Sequence, residues 1–406
     1  MLSYFLTKIK NYNIILLSTV AHIAAEISDG GKKEMKKFTK ILALVLVFAM
    51  VAAFAACGEK KEEEKMFFIG ATGPLTGDAA SYGTSVKNGA QLAIDEINAA
   101  GGLNGIKFKF DMKDDQATAE DAKKGYTTLY EAGMQVSLGS VTSGSAKAFA
   151  TEAKEDKVFS LSPSASADNV IETSEYSFRV CFGDPDNGIF AAEQLAEKYE
   201  NIGVIYDTSS DYSKGIFDAF DAKMKELNKT FTVKTFDTET NKDFSTQVEA
   251  LKDCDVIFLP IYYKEAGLIA KACVDKGCDA VLYGCDGLDG VKEQIDENVK
   301  NEITYITPFD VNSTDVKVAN FVSAYETKYG AKPDQFAAGA YDAVYAIYEA
   351  MKANDVKDAE IKADVLGDML VKTFTSEDFK ITGVTGEMQW NEAGACVKPP
   401  IVVKVQ

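Results

Sequence analysis

Histidine is almost absent from this sequence of 406 residues, because His22 is the only one. A chain without further histidine offers no Ser-His-Asp or Cys-His nucleophile and no histidine-ligated zinc site. The glycine-rich segment 73–83 also lacks both G-x-G-x-x-G and the lysine of a P-loop, which argues against a nucleotide site. These absences exclude most hydrolases. We therefore expect a protein that is not an enzyme and that holds neither a cofactor nor a metal.

The N-terminal region contains a short basic segment, residues 35–40, followed by sixteen uncharged residues at 41–56 and then Cys57. This order is typical of a secretory signal, and the apolar run is shorter than the ~20 residues of a membrane span. An N-terminal anchor helix is the alternative. Small residues before a single cysteine and a charged tether at 58–65 resemble a bacterial lipobox, although Phe54 stands where leucine is usual. The resemblance implies a signal peptide at 35–57, lipidation of Cys57, and a lipid-anchored protein on the extracytoplasmic face of the cell membrane.

Residues 1–34 precede this signal, and a second signal cannot sit upstream of a working one. We therefore expect residues 1–34 to be untranslated, which leaves a mature chain of 350 residues without histidine, 57–406. Two domains are the expectation at this length. Residues 1–56 contain seven Lys and three Asp or Glu, so 36 basic and 59 acidic residues remain, with a net charge near −23. Such a surface suits neither nucleic acid nor an anionic bilayer, so the lipid would hold the protein at the membrane.

Six further cysteines follow Cys57. They are Cys181, Cys254, Cys273, Cys278, Cys285 and Cys396. Their spacing does not match a paired C-x2-C zinc site, and a chain of this length does not need disulfides for stability. We expect mostly buried free thiols, and the sequence leaves open one bridge among Cys273, Cys278 and Cys285.

Apolar strands alternate with amphipathic helices along the mature chain. The first series has predicted strands at 66–71, 106–112, 136–138 and 158–161, and predicted helices at 85–100, 117–131 and 143–155. The second has predicted strands at 202–206, 231–236, 256–260, 280–283 and 303–307, and predicted helices at 213–227, 244–251 and 264–276. Predicted helices at 316–329, 336–353 and 361–374 come next, followed by predicted strands at 386–390 and 400–405. Repeated βα units indicate an α/β fold of two doubly wound domains, and the absence of a Pro- or Ser-rich linker favours hinge closure.

Several short motifs stand in a characteristic order. They are Gly73-Pro74-Leu75-Thr76-Gly77, Asn88-Gly89-Ala90, Ile94-Asp95-Glu96-Ile97-Asn98, Gly101-Gly102, Asp114-Asp115, Ser162-Pro163, Tyr262-Tyr263 and Gly339-Ala340-Tyr341-Asp342-Ala343. Together they resemble the leucine/isoleucine/valine-binding protein family of type I periplasmic binding proteins, over 66–406. The resemblance implies two Rossmann-like lobes joined by three hinge crossovers. It implies that 66–182 plus 310–378 form lobe 1, and that 183–309 plus 379–406 form lobe 2.

The loops that follow the strands carry the candidate binding residues, because ligands of open α/β sheets bind at the carboxyl ends of the strands. By the resemblance, Ser143, Ser164 and Ser166 match the positions that hold the carboxylate and ammonium groups of an amino acid. Asp286 matches the ammonium contact of the second lobe, although it is one methylene shorter than the glutamate common in branched-chain binders. We expect the aromatic wall of the side-chain pocket to be formed by Tyr82, Tyr212, Tyr262 and Tyr263. The alternatives are a helix cap at Ser143, turn residues at Ser164, Ser166 and Asp286, and core or rim positions for Tyr212 and Tyr263.

A binding lipoprotein of an ABC importer is the function that the resemblance implies. Its ligand would be a small neutral L-amino acid, its partners the permease subunits, and its state a monomer. A sensory lipoprotein that presents its ligand to a membrane receptor is the alternative, as is an importer component for amides, urea or aromatic acids. An extracellular amidase is a third hypothesis, which the missing histidine disfavours.

Overall fold

The computed structural model describes residues 65–238, 240 and 243–405. The predicted signal peptide 35–57 with its Cys57, residues 1–34 and nearly all of the tether lie outside the described residues. Within the described ranges, every helix is too short or too polar to cross a bilayer.

Two larger parallel sheets organise the described part of the chain. The first has five strands in the order β2-β1-β3-β4-β5. Its strands are β1 (Phe67–Gly73), β2 (Phe108–Asp114), β3 (Val136–Ser137), β4 (Ser160–Ser162) and β5 (Ser177–Arg179). All seven residues of β1 are buried, as expected for an inner strand of a parallel sheet that is covered by helices on both faces.

The second sheet has six strands in the order β13-β10-β9-β8-β6-β7. Its strands are β6 (Ile202–Asp207), β7 (Thr232–Phe236), β8 (Val256–Leu259), β9 (Val281–Gly284), β10 (Ile303–Thr307) and β13 (Ile401–Lys404). They pair in parallel except for β13, which runs antiparallel to β10. A separate antiparallel hairpin is formed by β11 (Ile381–Gly383) and β12 (Gly386–Met388).

Helices follow most of the strands. In the first lobe, around the five-stranded sheet, they are α1 (Ala80–Ala99), α2 (Ala119–Glu131), α3 (Ser143–Glu155) and α4 (Asp168–Glu172). In the second lobe, around the six-stranded sheet, they are α5 (Asp184–Lys198), α6 (Asp211–Glu226), α7 (Ser245–Leu251) and α8 (Tyr263–Lys276). The chain then forms α9 (Val316–Tyr329), α10 (Gln335–Ala353) and α11 (Ala363–Phe374). This architecture confirms the predicted α/β class with two lobes.

Helices α9 and α10 return to the first lobe and pack against α1. Gly89 makes the close approach of α1 and α10 possible, because a Cβ at this position would lie 2.1 Å from the carbonyl oxygen of Ala337. Helix α10 begins at an N-cap, Asp334, whose Oδ1 accepts a hydrogen bond from Ala337 N–H at 2.9 Å. These helices cover the apolar face of the first sheet.

The chain passes between the lobes three times. The first passage lies between β5 and α5, and the second lies between β10 and α9. Before the third passage, Trp390 packs on Phe374 at 4.6 Å and donates its Nε1–H to the carbonyl oxygen of Arg179, both in the first lobe. We therefore propose that the third crossover lies between Cys396 and Ile401, later than the predicted boundary at residue 379.

The sequence analysis leaves the segment from 162 to 201 without elements, and the structure places α4, β5 and α5 there. Helix α5 escapes prediction because it begins with Asp184-Pro185 after a glycine, which is typical of a turn. Its buried side also includes Asp184, Asn187 and Gly188, so it lacks a continuous apolar stripe.

Candidate functional site

The carboxyl ends of strands from both sheets face each other across a cleft of about 730 Å³. Asp78 and Thr142 line it from the first lobe, and Asp211, Tyr262 and Glu265 line it from the second. Among the predicted site residues, Tyr262 lines this cleft, and Ser164 and Asp286 line a smaller cavity. Every predicted site residue lies directly after a strand or in the first turns of the helix that follows.

The four predicted tyrosines form one aromatic cluster. Tyr212 and Tyr262 stack with ring centroids 5.0 Å apart, and Tyr82 meets Tyr262 edge-on at 5.5 Å. Tyr263 meets Tyr82 at 4.9 Å, and Phe336 of α10 stacks on Tyr82 at 4.2 Å. The structure therefore brings all four predicted tyrosines together and adds Phe336, which the sequence analysis did not single out.

Tyr82 and Tyr263 also join the two lobes by hydrogen bonds. The hydroxyl of Tyr82 donates to the carbonyl oxygen of Gly287 and accepts from the backbone N–H of Tyr263 at 3.2 Å. The hydroxyl of Tyr263 donates to the carbonyl oxygen of Asp78 at 2.8 Å, and an ion pair links Lys264 to Asp78. These contacts cross the cleft, so the lobes are closed on each other.

Asp286 lies in the second-lobe wall, in the short helix that follows β9. Its Oδ1 accepts hydrogen bonds from the Tyr212 hydroxyl at 3.0 Å and from Asn187 Nδ2 at 3.2 Å. Burial raises the pKa of Asp286 to about 7, although the hydrogen bonds from Tyr212 and Asn187 favour its ionised form. The carboxyl group is thus poised to change its charge near neutral pH.

The three predicted serines occupy the first-lobe wall, and their hydroxyls are used differently. Ser143 is the first residue of α3, and its Oγ accepts from Ala167 N–H at 3.3 Å, which leaves its own hydroxyl proton available. The Ser164 hydroxyl donates a hydrogen bond to the carbonyl oxygen of Val141 at 2.8 Å. The Oγ of Ser166 is buried without a hydrogen-bond partner. Ser143 and Ser166 can therefore donate to a ligand, whereas Ser164 mainly joins two loops.

Asp184, at the start of α5, is a buried acid that the sequence analysis missed. It is 1% exposed, and neither of its carboxylate oxygens has a hydrogen-bond partner. Burial raises its pKa well above the usual range, and the charge of Asp286 raises the pKa further. Arg179 and the nearby Ser166 hydroxyl act in the opposite direction, although Ser166 is not aligned for a hydrogen bond. The sequence analysis did not predict helix α5 and therefore did not single out Asp184.

Further buried polar atoms in this region lack a partner, namely Thr142 Oγ1 and Asn187 Oδ1. Buried polar groups in native proteins nearly always have hydrogen-bond partners. A ligand with both donors and acceptors would satisfy the hydroxyls of the first-lobe wall and the carboxyl and amide oxygens of the second. Among the described residues, no three His, Cys, Asp or Glu side chains gather in a way that could hold a metal ion.

Arg179, the only arginine of the sequence, holds the loop that carries Ser166. It is 3% exposed; its Nη1 donates to the carbonyl oxygen of Ser166 at 2.6 Å, and its Nη2 pairs with Asp168 at 2.9 Å. The backbone N–H of Asp184 donates to the same Ser166 carbonyl at 3.0 Å. One carbonyl group thus connects the binding loop to the first crossover between the lobes.

Comparison with known proteins gives consistent matches. The family model described as periplasmic binding protein matches residues 67–402. The Leu/Ile/Val-binding protein BraC3 of Rhizobium johnstonii is 30% identical over 329 residues, which cover 79% of this chain and 88% of the relative. A leucine-, isoleucine-, valine-, threonine- and alanine-binding protein of Pseudomonas aeruginosa is 28% identical over 82% of this chain and 89% of its own.

Among solved structures, a branched-chain amino acid transporter substrate-binding protein, LivJ of Streptococcus pneumoniae in complex with isoleucine, matches with a TM-score of 0.72. It is 31% identical, and the match covers 84% of this chain and 100% of the other. The similarity therefore extends over both lobes and the cleft between them.

Proposed function

The chain belongs to the periplasmic binding protein family, and from this membership we propose that it is the extracytoplasmic binding component of an ABC importer for a small neutral L-amino acid. Branched-chain amino acids or similar neutral ones are the proposed ligands, because the relatives at 28–31% identity are named for these ligands. The family consists of transporter binding proteins, which are not enzymes.

The distribution of polar groups across the cleft carries this proposal. The first-lobe wall offers the N-terminus of α3 together with the hydroxyls of Ser143 and Ser166. A helix N-terminus favours an anion, so this wall suits an α-carboxylate. The second-lobe wall offers the carboxyl group of Asp286, which suits an α-ammonium group. An L-amino acid carries both charged groups on one carbon atom, so it can meet both walls at once.

Asp184 and Asp286 have separate roles in this proposal. One ammonium group neutralises one carboxylate, and a second buried, unpaired charge would be costly. We assign the charge to Asp286, because Tyr212 and Asn187 already stabilise its ionised form. Asp184 keeps its proton and uses its unpaired oxygens as a neutral donor and acceptor. The tyrosine cluster then surrounds the ligand side chain.

Ligand specificity is the direct test. The lipid-free fragment 58–406 is screened by thermal shift and calorimetry against leucine, isoleucine, valine, alanine and threonine. L-leucinamide, which lacks the carboxylate, and 4-methylpentanoate, which lacks the ammonium group, serve as matched controls. We expect stabilisation by at least one L-amino acid and far weaker effects of both analogues. Stabilisation by urea, a simple amide or benzoate, with no response to any amino acid, would contradict the proposal.

Membrane attachment through Cys57 and delivery to permease subunits by a monomer complete the proposal. Replacement Cys57→Ser in the full-length chain should release the protein from membranes or leave an unprocessed precursor. Cys254→Ser is the matched control and should leave attachment intact. Membrane attachment of Cys57→Ser with its lipid label retained would place the anchor elsewhere.

A further inference from the structure

The C-terminal end of α8 brings two thiols together. Gly277 has a left-handed backbone with φ of 62°, and its N–H donates to Val274 O at 3.3 Å. The N–H of Cys278 donates to the carbonyl oxygen of Cys273 at 2.9 Å. These two bonds define a Schellman ending, in which the residue after the left-handed glycine packs on the residue five positions before it. Here both packed residues are cysteines, and both side chains belong to the same buried hydrophobic cluster.

We propose that Cys273 and Cys278 are an oxidation site, at which a disulfide forms when the protein meets a small disulfide oxidant. Both cysteines are reduced in the structure. A disulfide requires two Cβ atoms within a short distance and little backbone movement, and the backbone hydrogen bond of the helix ending brings these two residues together. The inference rests on this ending and does not depend on which ligand the cleft takes.

The two thiols have different chemical roles. Interaction with the neighbouring thiol lowers the pKa of Cys278 and raises the pKa of Cys273. Since the thiolate is the nucleophile, Cys278 reacts first. It is 2% exposed but lies between exposed Gly277 and Asp279, so opening of the last helical turn gives access to it.

The reaction balances with a small disulfide such as oxidised glutathione as the oxidant. The Cys278 thiolate attacks one sulfur of the oxidant, which forms a mixed disulfide and releases one thiolate. Cys273 then loses its proton and attacks Cys278 Sγ, which releases the second thiolate. The protein loses two protons and two electrons, and the oxidant becomes two thiols.

Peptide mapping of the wild-type protein tests the proposal. The protein is treated with oxidised glutathione, its remaining thiols are alkylated, and it is digested with trypsin and chymotrypsin. Cleavage after Lys271 and Lys276 isolates Cys273 in Ala272–Lys276, and cleavage after Lys276 and Tyr283 isolates Cys278 in Gly277–Tyr283. We expect these two peptides joined, with a mass two hydrogens below their sum.

Single variants complete the test. Cys273→Ser should leave glutathione attached to Cys278, and Cys278→Ser should abolish the link. Cys254→Ser is the matched control, because Cys278 lies near enough to raise the pKa of Cys254, and yet Cys254 should not be needed for the link. Full alkylation of both peptides after oxidation, or a link between Cys254 and either cysteine, would overturn the assignment.

Calorimetry separates this inference from the proposed function. Cys273 lies ten residues after Tyr263 in helix α8, so about 15 Å along the helix axis separates the nearer cysteine from the cleft tyrosine. We therefore expect ligand affinity to change by less than about twofold on oxidation, well below the tenfold that about 1.4 kcal/mol represents. If the disulfide forms but no amino acid binds, the oxidation site is supported and the proposed function is contradicted.

Discussion

At the scale of single residues, the second-lobe wall is defined by two acids in different surroundings. Asp286 receives two side-chain hydrogen bonds, from Tyr212 and Asn187, whereas Asp184 receives none. Both are buried, so we expect the difference in hydrogen bonding to decide which acid carries the charge. We therefore expect a bound ammonium group to depend on Asp286.

Replacement Asp286→Ala should therefore weaken binding of the confirmed amino acid by about 2–5 kcal/mol, because the ligand charge loses its partner on closure. Asp286→Asn should cost less, since the amide oxygen still accepts a hydrogen bond. Calorimetry on both variants measures the difference. An amino acid that binds Asp286→Ala as tightly as the wild type would remove Asp286 from the ammonium site.

Ligand affinity should also depend on pH. The ammonium group requires ionised Asp286, whose pKa is about 7 in the unliganded protein. Below pH 7 binding must first release a proton, so affinity should fall by up to about tenfold per pH unit. Calorimetry between pH 5.5 and 8 checks this slope, and Asp286→Asn should flatten it. A wild-type affinity that is constant across this range would contradict the assigned charge.

The raised pKa of Asp286 also makes the stability of the unliganded protein depend on pH. Because the folded pKa of Asp286 is raised, the folded state holds the proton more tightly than the unfolded state. The contribution of Asp286 to stability is therefore fully present below a pH of about 4 and is lost as pH rises towards about 7. A bound ammonium group opposes this loss, so stabilisation by the ligand should be larger at pH 7.5 than at pH 5.5.

At the scale of elements, the binding loop between β4 and α4 is positioned by its neighbours. Its Ser166 carbonyl oxygen accepts from Arg179 in β5 and from the backbone of Asp184 in α5. Planar, charge-assisted hydrogen bonds from a guanidinium group fix geometry better than a single ammonium group does. We therefore expect Arg179 to act on a ligand through the loop and not by contact.

Replacement Arg179→Lys should loosen the loop and weaken binding by about 1.5–3 kcal/mol, the range for hydrogen bonds to charged groups. Asp168→Asn removes only the outer partner, which is 43% exposed, and should cost less. Thermal unfolding without ligand distinguishes positioning from a general loss of fold. Equal losses of affinity in both variants, or a wild-type affinity in Arg179→Lys, would contradict the positioning of the loop by Arg179.

At the scale of the whole molecule, polar contacts cross between the lobes at the cleft. Tyr82 with Gly287, and Tyr263 and Lys264 with Asp78, join the lobes at the cleft. Ligand groups divided between the two walls are satisfied together only when the cleft is shut. Opening must break these contacts at the same time as it releases the ligand.

Small-angle scattering tests this coupling. We expect the radius of gyration to decrease when a confirmed ligand is added, because binding shifts the population towards the closed form. Tyr82→Phe removes the hydroxyl that links Gly287 and Tyr263 while it retains the ring, so it should favour the open form without ligand. An unchanged radius on ligand binding in the wild type would argue against closure as the binding step.

The fold class, most elements, the family and several candidate site positions could be predicted from the sequence alone. Alternating βα periodicity predicted the α/β class and most elements within a few residues, since buried parallel strands and amphipathic helices leave strong local patterns. The ordered motifs predicted the family, which the family match confirms. Loops after strands supplied candidate positions such as Ser143, Tyr212 and Asp286, because the carboxyl ends of parallel strands share one edge of a sheet.

Other features were decided by the tertiary structure. The Ser166 hydroxyl has no hydrogen-bond partner, whereas the Ser164 hydroxyl donates to Val141 in another loop. This difference depends on contacts between segments that are distant in the sequence. The pKa of Asp286 depends on burial by two lobes, and the acid Asp184 sits on a helix without an apolar stripe. The contact of Cys273 with Cys278 follows from one left-handed glycine. Local periodicity records which elements form, whereas charge and hydrogen bonding at the site depend on groups that only folding brings together.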